Sequence, residues 1–241
     1  PHPCLACNDK IKFDFLLRRA LFLDADYIAT GHYARLTESD NGFHLLQGID
    51  NSKDQSYVLY TLTQQELSRL KFPVGEYTKE DIRKMAEEAG LLVAGKPDSQ
   101  EICFIPSGNY RDFVKERVKP KKGNFVDPNG NVLGEHPGIQ FFTVGQRRKL
   151  GINSNDGEPR YVVKINSDTN EVVLGADEDL METDFTANKL SFTSEVEIGS
   201  EIKVKARIRY KANEEPAVVV IKDGYADITF LEPQRAITPG Q

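Results

Sequence analysis

The sequence predicts an α/β segment followed by a β-rich remainder, and three observations lead there. First, apolar side chains recur at helical spacing over residues 8–21 and give way to Tyr27-Ile28-Ala29-Thr30, a strand-like stretch that stops at Gly31-His32-Tyr33. Second, two more helix starts follow within the first hundred residues. Third, from Asn124 onward apolar and polar residues alternate between Pro, Asn and Gly, as in short strands joined by tight turns.

In chain order, Asn8 is expected to cap a helix whose core face is Phe13, Leu16, Leu17, Ala20 and Leu21, ending before Asp24-Ala25-Asp26. Tyr27–Thr30 reads as a short buried strand, and a glycine-bearing loop at a strand end is where α/β proteins hold ligands. Thr63-Gln64-Gln65-Glu66 fits a capping box before Leu67 and Leu70. Thr78 precedes a helix carrying Ile82, Met85, Ala86 and Ala89 and closed by Gly90. Phe125–Leu133 reads as two short strands around Pro128-Asn129-Gly130, and Tyr161–Ile165 and Glu171–Leu174 flank another polar turn. Between Ile202 and Leu231 three alternating runs follow, with Asp223-Gly224 between the last two; a small sandwich or barrel would bury their apolar faces.

Composition sets the bounds. A chain of 241 residues that is 39% hydrophobic and 28% charged can bury enough surface for two or three compact domains. No apolar run approaches the ~20 residues that cross a bilayer, and Pro1-His2-Pro3-Cys4 lacks the features of a signal peptide, so a cytoplasmic protein with reduced thiols is expected. The net charge of −6 argues against nucleic-acid binding over the whole surface and leaves room for a local basic patch.

The only cysteines are Cys4, Cys7 and Cys103. A C-x-x-C pair lets two sulfurs meet one centre, so the set can ligate a metal, carry a persulfide or exchange disulfides. One reading is a structural zinc site completed by His2, His32, His44 or His136, in a noncatalytic RNA-binding module; inert buried thiols and a dithiol redox protein using Cys4 and Cys7 are others. Four protein ligands on zinc would leave no open position, whereas a cluster held by three cysteines would leave one iron open. Asn51-Ser52-Lys53-Asp54-Gln55-Ser56-Tyr57 offers a cation, an acid and an amide for an RNA loop, or is a solvated loop. Thr143-Val144-Gly145-Gln146-Arg147-Arg148-Lys149-Leu150-Gly151 sets three consecutive cations between glycines, as a phosphate-facing loop or as an ordinary basic one. Arg207-Ile208-Arg209-Tyr210 reads as strand, which would turn Arg207 and Arg209 to one face.

Together, Pro3-Cys4-x-x-Cys7-Asn8 with Lys10-Ile11-Lys12-Phe13, Ala29-Thr30-Gly31-His32-Tyr33, Lys53–Tyr57, Ile102-Cys103-Phe104-Ile105, Thr143–Arg147 and Thr238-Pro239-Gly240-Gln241 resemble the tRNA-specific 2-thiouridylases over essentially the whole chain. The resemblance implies an ATP- and Mg²⁺-dependent enzyme that replaces the C2 oxygen of the wobble uridine, U34, in tRNAs for Lys, Glu and Gln. The sulfur would come from a donor such as a cysteine desulfurase or a relay protein. ATP would adenylate the oxygen, Cys103 would carry sulfur as a persulfide, and Cys7 would act as nucleophile or resolve the persulfide. By motif position His2, Pro3 and Cys4 would meet the target base and Gly31 the ATP. His32, Lys53, Asp54, Gln55, Arg209, Tyr210 and Gln241 would meet tRNA.

The family resemblance also implies the architecture. Part of an adenine-nucleotide α-hydrolase-like α/β domain would span residues 1–107, a central β-rich domain 108–167, and a six-stranded β-barrel domain 168–241. Three departures stand out. Cys4 occupies a position where many members carry Asp, so an acid or base role fails there, and Cys4, Cys7 and Cys103 become candidates to hold a [4Fe-4S] cluster. The family's Ser-Gly-Gly-x-Asp-Ser phosphate loop has no match, and its last apolar strand would lie beyond Gln241. The chain therefore reads as a fragment that should not modify tRNA unaided.

Overall fold

The computed structural model describes residues 3–96, 110–152 and 157–240. The chain divides into two compact units. One is formed by Pro1–Gln100, Asn188–Ser200 and Ile221–Tyr225, the other by Glu101–Ala187, Glu201–Val220 and Ala226–Gln241.

In the first unit one continuous helical rod opens the described chain: α1 (Pro3–Ala6), a π-helical segment (Cys7–Leu16) and α2 (Leu17–Phe22). The wide turn corrects the sequence reading. Asn8 is not a cap but a buried residue inside the rod, and the residues that face the core are Asn8, Phe13 and Leu17, five and then four apart. A π turn advances more residues than the 3.6 of an α-helix, so Leu16 and Leu21, which α spacing assigns to the core, stand 46% and 40% exposed. The strand β1 (Ile28–Ala29) is not buried; it pairs in parallel with β4 (Leu70–Lys71), a long-range connection of the α/β type. Between them lies a hairpin unread in the sequence, β2 (Ala34–Ser39) and β3 (Gly42–Gln47), in the register Ser39 opposite Gly42. Its signal was Asp40-Asn41-Gly42, with Gly42 at a φ of 105°.

The expected capping box at Thr63 forms, and a second stands at Thr78. Thr63 and Glu66 open α3 (Gln64–Leu67), and Thr78 and Asp81 open α4 (Lys79–Glu88). Past α4 the N–H of Gly90 bonds the Glu87 carbonyl and that of Leu91 the Ala86 carbonyl, with Gly90 at a φ of 68°. Phe13, Leu17, Leu59, Leu62, Leu67, Leu70 and Phe72 are among the buried apolar side chains of this unit's core.

In the second unit α5 (Tyr110–Arg117) precedes a mixed sheet of order β6-β5-β8-β7. Its strands are β5 (Gly123–Val126), β6 (Val132–His136), β7 (Tyr161–Asn166) and β8 (Glu171–Gly175). The expected turn at Pro128–Gly130 joins β5 to β6: the Asp127 carboxylate accepts from the backbone N–H of Asn129 and Asn131, and Gly130 takes a φ of 88°. Phe125, Phe142 and His136 pack edge to face over the core formed by Val162, Val172 and Leu174.

A second four-stranded sheet has the order β10-β11-β12-β9, from β9 (Met181–Asn188), β10 (Glu201–Ala206), β11 (Glu215–Ile221) and β12 (Tyr225–Arg235). Gly224, at a φ of 80°, turns the predicted hairpin between β11 and β12. Ala226, Ile228 and Phe230 alternate inward, and Thr229 and Asp184 join β12 to β9 by a 2.6 Å bond. No sheet among the described residues closes on itself, so the expected barrel stands here as an open sheet: alternation fixes which face is buried, not whether the edges meet. Strand β10 ends at Ala206, so Arg207 to Tyr210 lie in the connection to β11 rather than on a strand. No described helix is long and apolar enough to cross a membrane.

Gly75 holds the hairpin against the rest of the first unit. A Cβ there would sit 1.7 Å from the carbonyl oxygen of the fully buried Ala34, a contact that only movement of β2 can relieve. Gly75→Ala is expected to destabilise the protein by roughly 1–3 kcal/mol, read from urea unfolding, because overpacked sites shift backbone. Gly31→Ala, whose Cβ would meet nothing within 4 Å, should leave the unfolding midpoint unchanged.

Candidate functional site

Three of the sequence motifs meet in the first unit. Cys4 and Cys7 sit one helical turn apart on the opening rod, both half-buried. Asn8, next to Cys7 and 2% exposed, donates from Nδ2 to the Val58 carbonyl at 3.0 Å. Val58 belongs to the 3-10 turn Ser56–Leu59 that ends the Lys53–Tyr57 motif, so this one bond ties the thiol helix to that motif.

A second tie runs to the Gly31 loop. Lys12 Nζ lies 3.3 Å from His32 Nε2, and Thr30 Oγ1 lies 2.7 Å from His32 Nδ1. An ammonium has only protons to give, so Nε2 accepts and the ring's proton is on Nδ1, donated to Thr30. The ring packs against Phe13 and edge-on to Phe72. Burial, and then the charge of Lys12, lower the His32 pKa from 6.5 to about 4, so the ring is neutral near pH 7.

A third tie closes the triangle. The Tyr33 N–H donates to Gln55 Oε1 at 3.0 Å, and the Gln55 N–H donates to the Tyr33 carbonyl at 2.8 Å. Asp54 is buried and its carboxylate accepts from the N–H of Gly48 and from the N–H and hydroxyl of Ser56. Asp50 accepts from Ser52 and from the Lys79 N–H, bonds that hold its pKa below the usual carboxylate range. The loop is therefore shaped from within by two carboxylates, and Lys53 is half-exposed on it.

Of the expected site residues, the structure thus brings together Cys4, Cys7, Gly31, His32, Lys53, Asp54 and Gln55. The polar groups of His32, Asp54 and Gln55 described above are turned into the protein. Lys12, Asn8 and Thr30, not singled out as site residues in the sequence, join the groups; their only signal was their place inside two of the motifs. Gly31 is exposed and outside the left-handed region, and nothing lies within 4 Å of where its Cβ would be. Neither backbone nor packing demands a glycine there, and the open space is a cradle that a side chain would fill.

Arg209 and Tyr210 belong to the second unit. Arg209 Nη2 donates to the Val144 carbonyl at 3.4 Å, to Thr238 Oγ1 at 2.9 Å and to the Ala236 carbonyl. Arg207 pairs with Glu214 at 2.9 Å. His2, Cys103 and Gln241 lie outside the described residues, as does the side chain of Pro3.

Among the described residues no three His, Cys, Asp or Glu side chains come together as a metal site. His44 bonds Ser39 on the first hairpin, His136 packs between Phe125 and Phe142, and His32 is engaged at both nitrogens. The zinc reading gains no ligand from them. For a cluster, Cys4 and Cys7 are suitably placed on one turn, and the third thiol, Cys103, lies outside the described residues.

The neutral His32 makes stability depend on pH. Unfolded, the ring titrates near 6.5; folded, near 4. The contribution is complete above pH 6.5 and is lost as pH falls towards 4, because only the unfolded chain takes up the proton in that window. Acidification from about pH 7.5 to about pH 5 should remove about 2 kcal/mol through this ring, read from urea midpoints, and His32→Gln should flatten that slope.

Comparisons with known proteins show what the chain is similar to. Residues 1–107 match the family model described as the tRNA methyl transferase HUP domain. Residues 111–176 match the tRNA methyl transferase PRC-barrel domain, and 182–241 the aminomethyltransferase beta-barrel domain. The tRNA-specific 2-thiouridylase MnmA of Carboxydothermus hydrogenoformans is 50% identical over 248 residues, covering 100% of this chain and 67% of that protein. The proteins of the same name from Lachnoclostridium phytofermentans and Clostridium botulinum (strain Eklund 17B / Type B) are 48% and 47% identical over 245 residues, again across 100% of this chain and 68% and 67% of theirs. On matches that run through every motif described above, the chain belongs to the tRNA-specific 2-thiouridylase family.

Proposed function

We infer that this chain supplies the thiols and much of the RNA-contacting surface of an ATP-dependent enzyme that thiolates C2 of the wobble uridine, U34, of tRNA. The observation that carries the reading is the hydrogen-bonded triangle of Asn8–Val58, Lys12–His32 and Gln55–Tyr33, which holds the thiol helix against the Gly31 loop and the Lys53 loop. A group-transfer site needs its nucleophile, its activated substrate and its substrate-orienting loop in fixed relation, and these bonds hold the elements that carry them.

The roles follow from the chemistry. ATP transfers its adenylyl group to the C2 oxygen, turning a poor leaving group into AMP, and the open space at Gly31 suits the close approach of the nucleotide. Cys103 holds the incoming sulfur as a persulfide, whose terminal sulfur attacks C2 as AMP leaves with the oxygen. The Cys7 thiolate then attacks the Cys103 sulfur, breaks the S–S bond and leaves the transferred sulfur on the base; a dithiol reductant reopens the Cys7–Cys103 disulfide. Magnesium would accompany ATP. A [4Fe-4S] cluster on Cys4, Cys7 and Cys103 would supply an open iron for sulfide, and no step above depends on it.

His2, Pro3 and Cys4 are placed by motif at the target base. Of the tRNA contacts, Lys53 would reach phosphate directly; Asp54, Gln55 and His32 would act by shaping the loops and holding Lys12; Arg209, Tyr210 and Gln241 would act in the second unit. Sulfur donor and tRNA set follow the family: a cysteine desulfurase or relay, and tRNAs for Lys, Glu and Gln. The domain division is proposed as 1–107, 108–167 and 168–241.

In the full-length protein, Cys7→Ser and Cys103→Ser should each lower 2-thiouridine, measured by mass spectrometry of digested tRNA, to background while adenylation, read as pyrophosphate released from ATP, still occurs. Retained thiolation in either variant would overturn the persulfide assignment. Gly31→Ala should raise the KM for ATP with an unchanged unfolding midpoint.

A further inference from the structure

The second unit carries a concentration of positive charge that the proposed site residues leave unused. The chain is net negative by six charges, yet Arg147, Arg148 and Lys149 follow one another on an exposed turn. None of the three has a carboxylate partner among the described residues. Uncompensated neighbouring cations repel one another, and a protein that keeps them together gains when an anion arrives.

The turn is built rather than loose. The Gly145 N–H bonds the Val162 carbonyl at 2.7 Å and the Val162 N–H bonds the Gln146 carbonyl at 2.9 Å, which pins the start of the turn to β7. The Gln146 side chain spans it, accepting from the Thr143 N–H at 3.1 Å and donating to the Arg148 carbonyl at 3.0 Å. Arg209 ties the Val144 carbonyl to Ala236 and Thr238. A Cβ at Gly145 would lie 3.5 Å from Arg235 Nη1 and 3.6 Å from Arg209 Nη2, so two more guanidiniums converge on the same turn. Arg235 is matched by Asp177 at 2.7 Å.

Lys149 takes a φ of 62°, a conformation in which glycine is at ease and lysine is strained. A charged side chain retained at that cost points to a use for its charge.

We propose that Arg147, Arg148 and Lys149 form a preorganised clamp for the phosphodiester backbone of the RNA substrate, with Gln146 and Arg209 as its positioning residues. The clamp rests on the tRNA substrate proposed above and adds a phosphate-reading element to it. It carries affinity without base identity, because phosphates are the same in every sequence.

The test uses the full-length protein and measures tRNA binding by fluorescence anisotropy over a range of salt concentrations. Replacing Arg147 and Arg148 by Ala together should weaken binding by roughly thirtyfold at about 0.1 M salt, lower the salt slope by about two, and do so equally for a tRNA without the target uridine. Replacing both by Lys should restore most of the slope. Lys149→Gly separates binding from folding: it relieves the backbone strain, so the unfolding midpoint should hold or rise while tRNA affinity falls roughly five- to tenfold. Unchanged affinity and slope in the double Ala variant and in Lys149→Gly would overturn the clamp and turn attention to an acidic protein partner. Absence of tRNA binding by the wild-type protein would overturn the substrate reading, and the clamp with it.

Discussion

The bond from Asn8 to the Val58 carbonyl is the constraint on which the first unit depends. A buried carbonyl without a partner costs about 1–3 kcal/mol, so the side chain of Asn8 must point inward, and the rotation of the whole helix about its axis follows. With Asn8 turned in, the next core residues are Phe13 and Leu17, a spacing met by a π-helical segment and not by an α-helix. Cys7 then sits beside the buried position and Cys4 one turn before it, both at the edge of the core rather than inside it. Lys12 is brought to His32 by the same rotation. A thiol that must meet a substrate and yet keep a fixed position is well served by such a margin, half-buried next to an anchored residue.

In the second unit the corresponding device is a guanidinium. Arg209 lies in an irregular connection and reaches the Val144 carbonyl, the Ala236 carbonyl and the Thr238 hydroxyl. Strands hold themselves through ladders; loops need side chains to do that work, and a planar fork with several donors can satisfy more than one of them. Ala236 is buried in a left-handed conformation with a φ of 60°, a strain of about 1–2 kcal/mol that its bonds to Leu180 and Arg209 counteract.

Local chemistry was legible in the sequence. The box at Thr63, the helix start at Thr78, the turn at Pro128–Gly130 and the hairpin at Asp223-Gly224 each stand where residue type alone places them, because the groups involved are within a few residues of one another. What failed depended on distant partners. Asn8 has the profile of a helix cap, and only Val58, fifty residues on, makes it a core residue. Leu16 and Leu21 fit an α stripe, but the stripe presumes a turn that the rod does not have. Arg207 and Arg209 alternate as strand residues do, yet Glu214 and the Ala236 carbonyl draw them into a connection. Barrel closure is a separate matter: the last segment matches a β-barrel family model while its sheet is open among the described residues, and alternation specifies a face, whereas closure requires two particular edges to pair.

The same distinction divides the polar residues of the RNA-like motifs into support and contact. Asp54, Gln55, His32 and Arg209 read as recognition groups by type, but each bonds at least one polar side-chain atom to a partner within its own unit. Among the exposed polar residues of these motifs are the cations Arg147, Arg148 and Lys149 of the second unit, while Lys53 of the first is half-exposed. In a chain of net charge −6 such islands act differently from a uniformly basic surface. A local cluster of cations attracts a polyanion at short range even on a chain that is net negative, and that attraction weakens as salt shortens the screening length from about 10 Å at 0.1 M. Rigid support beneath the cations matters for the same reason: a cation held in place needs no ordering when the phosphate arrives, and more of its charge interaction appears as affinity.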